Sequence, residues 1–198
     1  MRKLWFGGSF NPIHFGHLIC SRAVAEAAGF DRVVLIPSGH PPHKPDEPAM
    51  AEALHRLEMC RLAVAGDDFF VVDDVEVSRS GPSFTVDTVA ELKARGETEV
   101  AWLIGADMAL YLPSWHDPAK LLAETNLVLM ARPGWTLDWL KMPAGFRHLE
   151  KHVVTAPQLE ISSTIIRNRL AAGRPIHYLT PDSVIRYIGK QGLYTKKH

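Results

Sequence analysis

The chain has 198 residues, 46% hydrophobic and 22% charged, an ordinary globular composition that excludes a disordered or collagen-like polymer. Its 22 Lys and Arg balance 22 Asp and Glu, so no global field draws in nucleic acid or an anionic membrane, and any phosphate-bearing partner needs a local site. Cys20 and Cys60 are too few for a secreted disulfide framework, the apolar start Leu4-Trp5-Phe6 stops at Gly7-Gly8 before a signal peptide could form, and no apolar run approaches a membrane span.

Along the chain, short apolar runs alternate with longer helical stretches, the pattern of a parallel α/β sheet. A strand over 4–6 leads through a glycine turn to a helix over 15–28, then a strand over 33–36. The interval 37–48 carries five prolines and reads as a functional loop. A helix over 49–65, a strand over 69–72, a helix over 85–95 and a strand over 100–104 follow. Then come a helix over 118–124 and strands over 127–130 and 152–155. Two helices close the chain, 163–172 and 181–189, with Thr180 expected as the cap and Pro181 as the first helical residue of the last. Several strands are continuous apolar runs, as expected when both faces are covered. The expected fold is therefore a Rossmann-like α/β domain spanning 1–198: a mostly parallel sheet with helices on both faces, and a small helical C-terminal portion from about residue 160.

The segment Gly7-Gly8-Ser9-Phe10-Asn11-Pro12-Ile13-His14-Phe15-Gly16-His17 sits where an open α/β sheet places ligands, beyond a strand's carboxyl end. Glycines let backbone N–H groups approach a phosphate, and the following helix start adds oriented donors. His14 and His17 are three residues apart and face the same way in a first helical turn, with Gly16 expected to keep that surface open. Two imidazoles there suit oxygens that gain negative charge in phosphoryl or nucleotidyl transfer. A zinc site is disfavoured, because HExxH is absent and the segment does not supply the further ligands a closed site needs. Absence of GxGxxG argues against a dehydrogenase.

Further along, Ile161-Ser162-Ser163-Thr164-Ile165-Ile166-Arg167 sets hydroxyls at a helix start, fit either for capping or for an anion, with Arg167 one turn beyond Ser163. Lys44 is either a solvated surface lysine or a mobile cation beside His43. Asp107 follows a strand end and would serve equally as a helix cap. Trp115 lies in a loop, where a large indole has little reason to pack in the main core. Trp5 and Trp102 belong to strands and the core; Trp135 and Trp139 have no assignment from sequence.

Taken together these segments resemble the nicotinate mononucleotide adenylyltransferase family of the HxGH nucleotidyltransferase superfamily. The glycine-loop string matches its GG(T/S)F(D/N)PxHxGH form. Pro41-Pro42-His43-Lys44, Ser83-Phe84-Thr85-Val86-Asp87-Thr88, Ile104-Gly105-Ala106-Asp107 with Trp115, Arg132-Pro133-Gly134 and Ile161 to Arg167 match later elements in order. The resemblance implies transfer of AMP from ATP to nicotinate mononucleotide in NAD biosynthesis, with Mg²⁺ held by ATP rather than by protein side chains. It implies catalytic roles for His14, His17, Lys44 and Arg167. ATP contacts are implied for Gly7, Gly8, Ser9, Phe10, Asn11, Gly105, Asp107, Ile161, Ser162, Ser163 and Thr164. Mononucleotide contacts are implied for Lys44, Thr85, Trp115 and Arg132. One departure stands out: His116 follows the tryptophan, where relatives frequently have tyrosine. The alternatives are an adenylyl- or cytidylyltransferase acting on pantetheine phosphate or a polyol phosphate, or a non-catalytic nucleotide sensor. The expected partners are small-molecule substrates, with no nucleic acid or membrane, in the cytoplasm, and with room for a homo-oligomer.

Overall fold

The computed structural model describes residues 1–42 and 50–195. Six parallel strands form one sheet in the order β3-β2-β1-β4-β5-β6. They are β1 (Lys3–Gly8), β2 (Arg32–Pro37), β3 (Phe70–Val72), β4 (Ala101–Gly105), β5 (Asn126–Ala131) and β6 (Val153–Thr155). The helices are α1 (Phe15–Ala27), α2 (Ala53–Val64), α3 (Thr85–Ala94), α4 (Pro118–Glu124), α5 (Ser163–Ala171) and α6 (Asp182–Gln191). This is the doubly wound order, which reverses between β1 and β4 and opens a crevice beyond their carboxyl ends. Leu4 of β1 pairs with Val33 of β2 and Ala101 of β4, so the central strand is flanked along its length.

Successive side chains of a strand point to opposite faces, and here both faces are covered. Trp5, Val34, Trp102, Ile104 and Leu129 pack on one side with Val86, Val89 and Leu92 of α3 and Leu121 of α4. Leu4, Phe6, Val33, Leu103 and Val128 pack on the other with Val24 of α1, Met59 of α2, Ile166 of α5 and Ile188 of α6. That is why the strand sequences read as unbroken apolar runs.

Three stretches carry structure that the sequence reading left unassigned. Residues Ala106–Ser114, Trp139–Lys141 and Ala144–His152 form 3₁₀ helices, whose tighter winding leaves no 3.6-residue stripe to read. The second and third bury Trp139, Phe146 and Leu149 against the α3 side of the sheet, and Trp135 meets Trp139 edge to face at 6.2 Å. Helix α2 starts at Ala53 rather than at 49. In α6, Pro181 is the N-cap rather than the first helical residue, with ψ of 146° outside the helical range. Thr180 does not cap it: its buried hydroxyl donates to the Ile13 carbonyl at 2.8 Å, tying the C-terminal helices to the glycine loop.

Candidate active site

The glycine loop is shaped by its neighbours' side chains. A Cβ on Gly7 would lie 2.5 Å from Trp102 Cζ2, and one on Gly8 would lie 3.1 Å from the Phe10 ring. These two positions therefore accommodate aromatic rings as well as any ligand. Phe10 is buried, takes a left-handed φ of 42°, and packs edge-on to Phe6 at 5.4 Å and to His17 at 5.0 Å. The His17 ring is thereby held from the side.

His14 is the N-cap of α1 and His17 is its third residue. Each ring caps the other's backbone: Nδ1 of His14 accepts the His17 N–H, and Nδ1 of His17 accepts the His14 N–H, both at 3.3 Å. The rings stack at 3.6 Å with planes 22° apart. This is a capping box built from histidines in place of the usual hydroxyl and carboxamide pair. Burial lowers His14 to about 4 from the ordinary 6.5. Burial, and then the nearness of His14, hold His17 well below its ordinary value. Both rings are thus neutral near pH 7. With Nδ1 committed as an acceptor, the single proton of each sits on Nε2, which is then a donor.

Gly16 does not keep an open surface. A Cβ there would stand 2.9 Å from His14 Nδ1 and 3.3 Å from the carbonyl oxygen of Ile161, so the missing side chain lets the entry to α5 close against the His14 ring. The start of α5 is fastened to the loop at several points. Ser162 caps it by accepting the Ile165 N–H at 3.2 Å. Ser163 Oγ donates to the Pro12 carbonyl at 2.8 Å. Arg167 Nη1 donates to the Asn11 carbonyl at 2.9 Å, and Arg167 Nη2 to Thr164 Oγ1 at 3.4 Å. The beginnings of α1 and α5 therefore converge, as anion-binding termini would have to.

Beside this corner a cavity of about 380 Å³ opens at the carboxyl ends of β1 and β4. Gly7, Gly8, Ser9, Thr85, Gly105, Trp102 and Trp115 contribute to its lining. Its wall is aromatic: Phe84 and His116 stack at 4.3 Å with planes 24° apart. Trp115 packs partly against the core, further inside than its loop position implied. Helix α3 begins at Thr85 on this wall, and its N-cap Phe84 offers the opening N–H groups no side-chain acceptor. A larger depression of 870 Å³ lies at the amino ends of the strands, lined in part by the ion pairs Lys3–Glu97 and Lys93–Glu124. It is far from the switch point, and the smaller cavity is the candidate site.

Asp107 and Arg132 are outside the cavity lining and are paired with each other, Nη2 to Oδ2 at 2.7 Å, on an exposed rim. Lys44 and His43 lie outside the described residues.

Two buried charged residues escaped the sequence reading. Arg56, 1% exposed, donates to the carbonyls of Ser9 at 2.8 Å, Ala51 at 2.9 Å and Gly39 at 3.0 Å, so it fastens the glycine loop to Gly39 within the proline-rich interval and to Ala51 just past it. Glu76 lines the cavity beneath α3 and accepts the Thr88 hydroxyl at 2.7 Å. Burial raises its carboxyl above the usual range, opposed by the Thr88 and Ser83 hydroxyls and by Arg79 and Arg56. A lone arginine within the Leu57, Met59, Cys60 stripe was the only available hint of the first; the second gave none.

A family model described as Cytidylyltransferase-like matches residues 5–169. The probable nicotinate-nucleotide adenylyltransferase of Roseiflexus sp. (strain RS-1) is 41% identical over 190 residues, covering 95% of each chain. That of Serratia proteamaculans (strain 568) is 42% identical over 208 residues, covering 96% of this chain and 93% of the other. The solved Plasmodium falciparum nicotinic acid mononucleotide adenylyltransferase complexed with NaAD shares the fold, with a TM-score of 0.73 at 20% identity over 98% of both chains. The chain belongs to the nicotinate mononucleotide adenylyltransferase family.

Proposed function

We propose that this chain transfers AMP from ATP to nicotinate mononucleotide, giving nicotinate adenine dinucleotide and pyrophosphate in NAD biosynthesis. An oxygen of the mononucleotide phosphate attacks the α-phosphorus, and the bond from that phosphorus to the bridging oxygen of the β-phosphate breaks. The attacking group is already an anion, so no general base is needed, and catalysis is positioning plus charge stabilisation. The observation that carries the reading is the contact at Gly16, where the His14 ring and the α5 entry meet around one missing carbon. That contact supports a single phosphate corner formed from Nε2–H donors, the opening N–H groups of α5, the Thr164 hydroxyl and the Arg167 guanidinium, while the Ser163 hydroxyl ties the α5 entry to Pro12.

In this reading His14 and His17 donate to the phosphates, and Lys44 and Arg167 neutralise them. Gly7 to Asn11, Gly105, Asp107 and Ile161 to Thr164 receive ATP. Trp115 stacks on the pyridine ring, and the opening N–H groups of α3 near Thr85 take its carboxylate. Arg132 reaches the mononucleotide by leaving Asp107. The corner is rich in donors, which suits oxygens rather than a cation, so Mg²⁺ would be held by ATP rather than by protein side chains and would supply charge neutralisation. In this reading the enzyme acts in the cytoplasm, where its substrate ATP is available; among the described residues no helix is long and apolar enough to cross a membrane.

The test is pyrophosphate release from ATP with four acceptors: nicotinate mononucleotide, nicotinamide mononucleotide, pantetheine phosphate and a polyol phosphate. The acid should exceed each of the others by at least about tenfold in kcat/KM. Comparable values for the acid and amide overturn the carboxylate preference, and no release with any acceptor overturns transfer altogether.

A further inference from the structure

Asn11 is the most enclosed polar residue of the glycine loop, 1% exposed, and its oxygens join three distant segments. Its main-chain oxygen accepts from Arg167 Nη1 at 2.9 Å. Its side-chain Oδ1 accepts the Ala51 N–H at 3.0 Å, just before α2, and the hydroxyl of Tyr194 at 2.7 Å. Tyr194 lies beyond the end of α6, in the last turn of the described chain. Gly192 caps that helix with φ of 61°, and Tyr194 repeats the left-handed conformation with φ of 63°. The Leu193 N–H donates to the Ile188 carbonyl at 3.1 Å, and Thr195 Oγ1 donates to the Gly192 carbonyl at 3.1 Å. Leu193 and Tyr194 also pack against the α1–α2 core. A left-handed tyrosine is an unfavoured conformation, and here it turns the ring back from the chain's end onto a loop 183 residues away.

We propose that Tyr194 is a positioning residue for nucleotidyl transfer: its hydroxyl orients Asn11, and through Asn11 sets both the phosphate loop and the guanidinium of Arg167. The inference rests on the activity proposed above. Arg167 acts on phosphate while leaning on the Asn11 carbonyl, so a residue that fixes Asn11 fixes the direction of that charge. The Ala51 bond to the same Oδ1 extends the control to the segment that leads into α2. The C-terminal turn thus takes part in the site without touching substrate.

Tyr194→Phe deletes one oxygen and keeps the ring and its packing. Its kcat should fall about tenfold, the loss of one well-formed hydrogen bond expressed in the transition state, while KM for nicotinate mononucleotide stays within about twofold. Asn11→Ala supplies the second arm. With no carboxamide to orient, adding Tyr194→Phe to Asn11→Ala should change kcat less than about twofold, a coupling that a purely structural tyrosine would not give. A Tyr194→Phe enzyme within twofold of wild type in kcat overturns the assignment, as does a full tenfold loss persisting on the Asn11→Ala background. Wild-type turnover measured alongside separates the two claims. Its absence overturns the activity reading, whereas normal wild-type turnover with an unaffected Tyr194→Phe overturns this one alone.

Discussion

Replacing His14 by asparagine keeps a side-chain oxygen at the N-cap of α1 while deleting a ring that titrates. In the folded protein burial lowers His14 to about 4, against an ordinary 6.5. The folded value lies below the unfolded one, so the ring's contribution to stability is whole above about pH 6.5 and is lost as pH falls toward 4. For a shift of that size, the loss between about pH 7 and about pH 5 is about 2 kcal/mol. The ring is only 5% exposed, so solvent screening takes little from this figure. His17 is lowered for the same leading reason and adds a loss in the same direction. Urea unfolding of wild type and His14→Asn at the two pH values reads the effect directly. The variant should lose about 2 kcal/mol less than wild type on acidification. Equal losses in the two proteins would refute the claim that the native fold holds this ring neutral.

His17→Ala should fold, with far-ultraviolet circular dichroism close to wild type, yet lose about 10²–10³ in kcat for pyrophosphate release, the usual cost of one preorganised donor. Near-normal turnover would remove the imidazole pair from the mechanism. Gly7→Ala puts a methyl 2.5 Å from Trp102 Cζ2. The indole must move, so a stability loss of about 1–3 kcal/mol and a raised mononucleotide KM are expected, and an unchanged urea midpoint with unchanged KM would contradict the packing described. Arg56→Met removes the donors to Ser9, Gly39 and Ala51. Stranding these carbonyls should cost about 2–4 kcal/mol, and a thermal midpoint within a degree or so of wild type would show that water replaces the guanidinium readily.

The strands and helices were legible because their signals are periodic and local. Val33 to Ile36 and Leu127 to Met130 are apolar without interruption because each strand is sandwiched, and α4 announces itself with Asp117 at its cap and Pro118 at its first position. The 3₁₀ stretches were silent, since Pro113 and short, tightly wound turns leave no stripe. The histidine spacing fixed that two imidazoles share a helix start, but not that each caps the other, which depends on rotamers. Glycine was read as room for a ligand, whereas Gly16 makes room for His14 and Ile161. Arg56 was hidden for a related reason: its partners are backbone carbonyls 5, 17 and 47 residues away, and carbonyls carry no sequence identity. Long-range ties of this kind, Tyr194 to Asn11 among them, emerge only once the chain has folded back on itself.

The outermost strands, β3 and β6, are three residues long each. So short a margin gives an incoming strand little backbone to template on, which protects a sheet of this kind from growing sideways into fibres.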